Sequence, residues 1–261
     1  MFNSFYFLGI AFNLAILTYF IGVLLMGSPI PVYGIKKWGP KLISDGIYSA
    51  VLVNSFEAIL YFSQQISNII GSNWTSFYNW IYQVIAQELE IYTLIRTLYA
   101  TISISQDPAV SIFLSPLTIF FSFLTGLIAT METILTISYL VNENVGIFIA
   151  LGILFLSLPF RIGRSIGGAL IGFAVVFYIG LPYLPNFLTG LGVNVLNPPA
   201  VNSNSASDIL NFLATEAIPF YVEGTVVLPA AYLTILAGLS IGLGSAISGY
   251  SSRLPIPIEI F

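Results

Sequence analysis

Apolar residues run along this chain in blocks long enough to cross a bilayer, cut apart by short polar or proline-bearing stretches. The first block covers about 7–27, close to the roughly twenty residues that traverse about 30 Å of hydrocarbon. Ser28-Pro29-Ile30-Pro31 stops it, because proline removes a helix hydrogen bond and clashes with the preceding turn. Further blocks follow at about 47–71, 78–103, 110–140, 145–160, 166–184 and 225–248. Gln106-Asp107-Pro108 predicts a turn, Pro116 a kink, and Asn142-Glu143-Asn144 a break between the fourth and fifth blocks. Pro182 and Pro185 close the sixth. Residues 188–208 read as a loop rich in Gly, Asn, Ser and Pro, the start of an outside segment over 188–223. Within it, Ser205-Ala206-Ser207-Asp208 has the pattern of a capping box opening a short helix that ends before Pro219. The pattern predicts an all-α, polytopic membrane protein: a single transmembrane domain over 1–261 with about seven spans.

Composition agrees. The chain is 57% hydrophobic and 7% charged, with a mean hydropathy of +0.95, where an ordinary soluble domain carries about 25% charged residues. It has no His and no Cys, which excludes imidazole or thiolate metal sites, disulfides and Cys or His catalysis. No G-x-x-x-x-G-K-[ST] occurs, so no P-loop is expected. An enzyme is not expected, nor is a cofactor. Few basic residues and a pI near 4.6 argue against a stand-alone nucleic-acid binder, since phosphate neutralisation needs cations. The first block lacks a basic leader and a small-residue cleavage site, and reads as a retained helix.

Where the charges fall gives an orientation. Six of the seven basic residues are Lys36, Lys37, Lys41, Arg161, Arg164 and Arg253. Cytoplasmic loops keep Lys and Arg, and seven spans with the N-terminus outside and the C-terminus cytoplasmic put all six inside. Glu143, Asp208, Glu216, Glu223 and the sequon Asn73-Trp74-Thr75 then fall outside. Trp38 is placed as an interfacial anchor.

Polar residues inside the blocks line up on helix faces, and such residues are functional candidates in lipid. Asn54, Glu57, Tyr61, Gln64, Gln65 and Asn68 share one face within roughly 100° at 3.6 residues per turn. Asn79, Gln83, Gln87, Glu90, Thr97 and Thr101 form a second stripe. Ser111, Ser115, Thr118, Ser122, Thr125, Glu132 and Thr136 form a third. Either these faces pack on one another through interhelical hydrogen bonds, or they line a hydrated path or partner-binding face. An amphipathic helix lying in the interface is a further possibility for the second or third block. Glu88 and Arg96 project off their stripe, two turns apart, and each needs a partner from elsewhere or an interfacial position. Gly163, Gly167, Gly168 and Gly172, and later Gly238, Gly242 and Ala246, have the small-xxx-small spacing that lets helix backbones approach. No internal repeat is visible.

The stretch Arg161-Ile-Gly-Arg-Ser-Ile-Gly-Gly-Ala-Leu-Ile-Gly-Phe-Ala-Val-Val-Phe-Tyr-Ile-Gly-Leu-Pro-Tyr-Leu-Pro has a basic start, a Gly-rich helix and a terminal Leu-Pro. It resembles the late membrane segment of the CedA family, the polytopic subunit of the crenarchaeal DNA-import (Ced) system. That family is in turn similar to the polytopic inner-membrane subunit of conjugation-type (type IV) secretion machines. The resemblance implies a multi-pass component of the cytoplasmic membrane that conducts or handles DNA as passenger. It also implies a separate cytoplasmic hexameric ATPase of HerA type and small two-span pilin-like membrane proteins as partners. Lys36, Lys37, Lys41, Arg161 and Arg164 would then face the ATPase or the DNA phosphates. Two readings of other classes stand beside it: a channel or carrier for an ion or small solute through the polar stripes, and a scaffold subunit held by its Gly ribbons.

Overall fold

A computed structural model of the chain describes residues 4–29, 36–104, 114–199 and 206–249. Among the described residues every regular element is helical. The chain forms α1 (Ser4–Gly27), α2 (Trp38–Asn54), α3 (Phe56–Ile69), α4 (Trp74–Ile104), α5 (Leu114–Leu156), α6 (Arg164–Gly180) and α7 (Leu184–Gly190). It then forms α8 (Ala206–Phe212), α9 (Ile218–Val222) and α10 (Leu228–Ser248). Four helical stretches are long and apolar enough to cross a membrane: Ser4–Gly27, Leu114–Leu156, Arg164–Gly190 and Asp208–Ser248. α2 and α3, bent by 56° at Ser55, make a fifth if taken as one broken span.

Among the expected seven, the block 47–71 is broken at Ser55, and α4, which covers the expected 78–103, is not among the helices long and apolar enough to cross. Two further differences have identifiable local reasons. α5 runs without a break through Asn142-Glu143-Asn144, so the fourth and fifth blocks are one helix. Asn and Glu are polar but do not break a helix as Pro does. Asn144 Nδ2 donates to the Leu140 carbonyl one turn back, 3.0 Å, and Val141 is buried. Pro116 sits in the first turn of this helix as described, where a missing N–H costs little. The real stop is Leu158-Pro159: Leu158 is extended (φ −62°, ψ 132°), as the residue before proline prefers.

The second difference is at Pro219, where the helix does not end. α8, α9 and α10 are joined by two π turns, Leu213–Ala217 and Glu223–Val227. The Ile218 N–H bonds to Leu213 O and the Leu228 N–H to Glu223 O, five residues back instead of four. Pro219 and Pro229 would each clash with the carbonyl four residues earlier, at Thr215 and Thr225. Both carbonyls lie inside the widened turns, so the run absorbs two prolines. Ser205 of the expected capping box lies outside the described residues, as do Gln106-Asp107-Pro108, Ser111 and Arg253. Asn73 opens α4: its Oδ1 accepts from the Thr75 and Ser76 N–H groups at 2.8 and 3.1 Å, so the sequon asparagine is also a helix cap.

The chain divides into two compact units, one of 1–72, 140–181 and 234–261, the other of 73–139 and 182–233. In the first, α6 is the central helix, with Gly167 through Ala174 buried without interruption. A Cβ added to Gly167 would lie 2.5 Å from the Gly152 carbonyl oxygen of α5 and 2.9 Å from the Leu156 nitrogen. On the other side of α6, Gly172 stands 2.8 Å by the same measure from the Gly244 nitrogen of α10. Gly163 and Gly168 are equally tight, against Phe155 and Gly244. Gly238 and Gly242, expected in the same ribbon, have open space around them. The face of α10 that meets α6 carries Ser240, Gly244 and Ser248 instead, a four-residue spacing two positions out of phase with the expected one. A further close crossing joins α1 to α2. Gly22 meets Gly39 and Ile43, and Gly46 meets Ala15 and Tyr19, all within 2.9 Å of an added Cβ. Since 22 pairs with 39 and 15 with 46, α1 and α2 form an antiparallel hairpin.

Hydroxyl groups close the helix ends in this unit, where the last carbonyls lack intrahelical donors. Thr18 Oγ1 donates to Ser157 O (3.1 Å), Ser49 Oγ to Leu156 O (3.3 Å), Tyr48 Oη to Ile247 O (3.0 Å) and Ser72 Oγ to Ile179 O (3.0 Å).

Candidate functional site

The two basic clusters of the sequence meet at one end of the first unit. Pro159 ends the helical path after α5, and Phe160 and Arg161 both take left-handed backbone conformations, φ 61° and 63°. A non-glycine residue pays roughly 1–2 kcal/mol for that conformation. Its effect is to turn the Arg161 guanidinium back onto α2. There it grips Asp45 bidentately, Nε to Oδ2 at 2.7 Å and Nη2 to Oδ1 at 2.9 Å. Arg164, in the first turn of α6, reaches the same carboxylate at 3.2 Å and lies over the Tyr48 ring at 5.7 Å. Asp45 is buried, 8% exposed. Beside this knot the Trp38 ring meets Phe160 edge to face, centroids 6.3 Å apart, and Lys41 Nζ stands 5.5 Å from the Trp38 ring. Lys36, Lys37 and Lys41 are exposed. Two arginines share one carboxylate while three lysines face outward. That arrangement braces the turn and leaves the lysines as the surface cations. Sequence reasoning passed over Asp45, although a lone carboxylate closing a lysine loop was the available signal.

The described members of the polar stripes are exposed on their units, apart from the half-buried Gln87. Asn54, Glu57, Gln64 and Asn68 are exposed, as are Asn79, Gln83, Glu90, Ser122, Thr125 and Glu132. Several satisfy themselves on their own helix: Asn54 Nδ2 on Ala50 O (2.7 Å), Ser122 Oγ on Thr118 O (3.4 Å) and Thr125 Oγ1 on Phe121 O (2.8 Å). Asn54 and Glu57 line an open cavity of about 460 Å³ in the first unit, walled by Phe5, Leu8, Phe12 and Phe56. In the second unit, Gln83, Gln87 and Glu90 line one of about 470 Å³ with Leu196, whose carbonyl accepts from Gln87 Nε2 at 3.1 Å.

Glu88 is the exception on α4. It is fully buried, with both carboxylate oxygens lacking a hydrogen-bond partner. Arg96, the other residue off the stripe, is exposed. No group of three or more metal-ligating side chains occurs among the described residues.

Residues 1–69, which hold the α1–α2 hairpin and α3, match the family "DNA import protein CedA1". The whole chain is similar to the DNA import protein CedA of Sulfolobus acidocaldarius, 38% identical with all of both proteins covered. No solved structure matches. Identity of that extent over full length is enough to assign membership: the chain belongs to the CedA family of DNA import proteins.

Proposed function

We propose that this chain is a membrane component of a DNA-import apparatus, conducting or handling DNA at the cytoplasmic membrane with energy from a separate ATPase. The full-length similarity to the DNA import protein CedA carries the reading. The chain's want of a P-loop supports an outside energy source, a cytoplasmic hexameric ATPase of HerA type, with small two-span pilin-like proteins as further partners.

Five spans serve the charge rule as well as seven. With the N-terminus outside, α1 delivers Lys36–Lys41 to the cytoplasm, and the bent α2–α3 pair returns outside. α5 then crosses inward to Arg161 and Arg164, the stretch 164–190 crosses out, and the long run to Ser248 crosses in before Arg253. Parity is kept because α4 does not cross. That suits its three ionisable residues, Glu88, Glu90 and Arg96, since such side chains are expensive at membrane depth. The basic end of the first unit is then the cytoplasmic end, where exposed lysines face the ATPase or DNA phosphates.

The exposed polar faces support handling by surfaces of the assembled apparatus, because their described side chains, Gln87 apart, stay exposed. Glu57→Gln, Glu90→Gln and Glu132→Gln, made singly in the full-length protein, are expected to lower DNA uptake severalfold. Unfolding should shift by no more than about 0.5 kcal/mol, as for exposed positions generally. Unchanged uptake with lowered stability would return these faces to packing. Solute flux through liposomes holding the purified chain alone would favour the carrier reading.

A further inference from the structure

Glu88 lies where an ionised carboxylate has nothing to answer its charge. Its residue is 0% exposed and neither oxygen has a hydrogen-bond partner. Across from it stand Thr225 and Tyr221, also buried. The Thr225 hydroxyl donates to the Tyr221 carbonyl at 2.8 Å and so is not available as a donor to the acid. The Tyr221 hydroxyl is itself without a partner. Three polar oxygens from two segments are thus sealed together, unpaired. Such groups cost about 1–3 kcal/mol each when neutral and much more when charged. The titratable groups acting on this pocket are Glu88 itself, Tyr221 and Glu90. Among the described residues no basic side chain pairs with Glu88.

The facing segment is also the one with unusual backbone. Thr225 lies within the second π turn and Tyr221 in α9, between the two π turns. Such turns recur at functional sites, and here they set the phase at which Tyr221 and Thr225 meet α4.

We propose that Glu88 is a proton-binding site, holding its proton at neutral pH and releasing it only when the α8–α10 run lets a donor or water reach the carboxylate. A proton is the cation this donor set suits. Calcium and magnesium need about six or more oxygen ligands, whereas one carboxyl with one phenol satisfies a proton. The step is simple dissociation: the carboxylic O–H bond breaks, its electron pair stays on the carboxylate, and the proton leaves to water. The Tyr221 O–H, buried and without a partner of its own, is a donor free to turn toward the resulting charge. The inference does not rest on DNA passage.

Infrared spectra of the full-length protein in lipid nanodiscs, titrated with pH in potassium buffer, test it. The carbonyl band of a protonated carboxylic acid is expected at neutral pH. It should be lost in Glu88→Gln, kept in Glu216→Gln, and unmoved when sodium replaces potassium. If Glu88→Gln fails to fold, Tyr221→Phe serves. Removing the donor should raise the pH at which the band disappears by about one unit, a tenfold change in proton affinity. A wild-type spectrum without the band, a band that survives Glu88→Gln, or a midpoint unmoved in Tyr221→Phe would overturn the proposal. Loss of the band in sodium alone would replace the proton with a metal cation.

Discussion

Asp45→Asn is expected to destabilise the purified protein by about 3–5 kcal/mol, the range for breaking a buried ion pair from one side. The reason is the geometry around it. Asp45 accepts from both Arg161 and Arg164, whose side chains are 27% and 14% exposed. Without the carboxylate, two largely covered cations face each other with no anion between them. The left-handed turn at Phe160 and Arg161 also loses the contact that holds it. A denaturant titration in detergent reads the loss. The triple variant with Asp45, Arg161 and Arg164 all changed to Ala should lie closer to wild type than Asp45→Asn, because it leaves no orphaned charge. If Asp45→Asn unfolds within about 0.5 kcal/mol of wild type, the knot contributes nothing. The same pairing governs how an Arg161→Ala, Arg164→Ala variant must be read. Loss of DNA uptake implicates those arginines in function only if the protein still reaches the membrane at its normal level.

Gly172→Ala should be among the most damaging single methyl additions at the described glycines. The new Cβ would meet the Ser240 carbonyl oxygen and the backbone of Gly244, with its nitrogen at 2.8 Å. These are main-chain atoms of α10, so no flexible side chain can swing aside. α6 and α10 must separate instead, and Gly168 loses its contact in the same crossing. Overpacking typically costs about 1–3 kcal/mol, and backbone against backbone places this site at the upper end. Gly242→Ala is the matched control. It lies on α10 within two residues of Gly244 but has open space around it, and it should change stability by less than about 0.5 kcal/mol. Equal losses at the two positions would mean that the α6–α10 crossing is not as close as described.

Much of the helical layout was legible because it depends on composition over long windows. The α1 block is predominantly apolar and is closed by Pro29 and Pro31, and nothing in tertiary structure competes with that. The misjudged points are those where a local signal was ambiguous in kind. Asn142-Glu143-Asn144 has the polarity of a loop but not the backbone chemistry of one. Pro219 has the chemistry of a stop, yet a π turn placed four residues before it removes the clash. For the polar stripes, periodicity says which residues share a face but not whether that face turns inward. Glu57, Glu90 and Glu132 were grouped on their faces, and their outward direction came only from the packed helices. The glycine ribbons show the same limit. Spacing marked Gly167, Gly168 and Gly172, where a neighbour does approach, and Gly238 and Gly242, where none does. The crossing of α1 with α2 went unread because Ala15 and Gly22, and Gly39 and Gly46, recur every seven residues instead of every four. Asp45 was hidden by the charge rule itself, which weighs Lys and Arg and takes little notice of acids.

The account stands or falls on DNA entering the cell. In recipient cells lacking this chain, the most direct measurement is the appearance of a chromosomal marker from donor cells, with and without the full-length protein restored. Uptake should fall to background in its absence and return with the wild-type chain. Uptake at the normal level without the chain would contradict a role in DNA import.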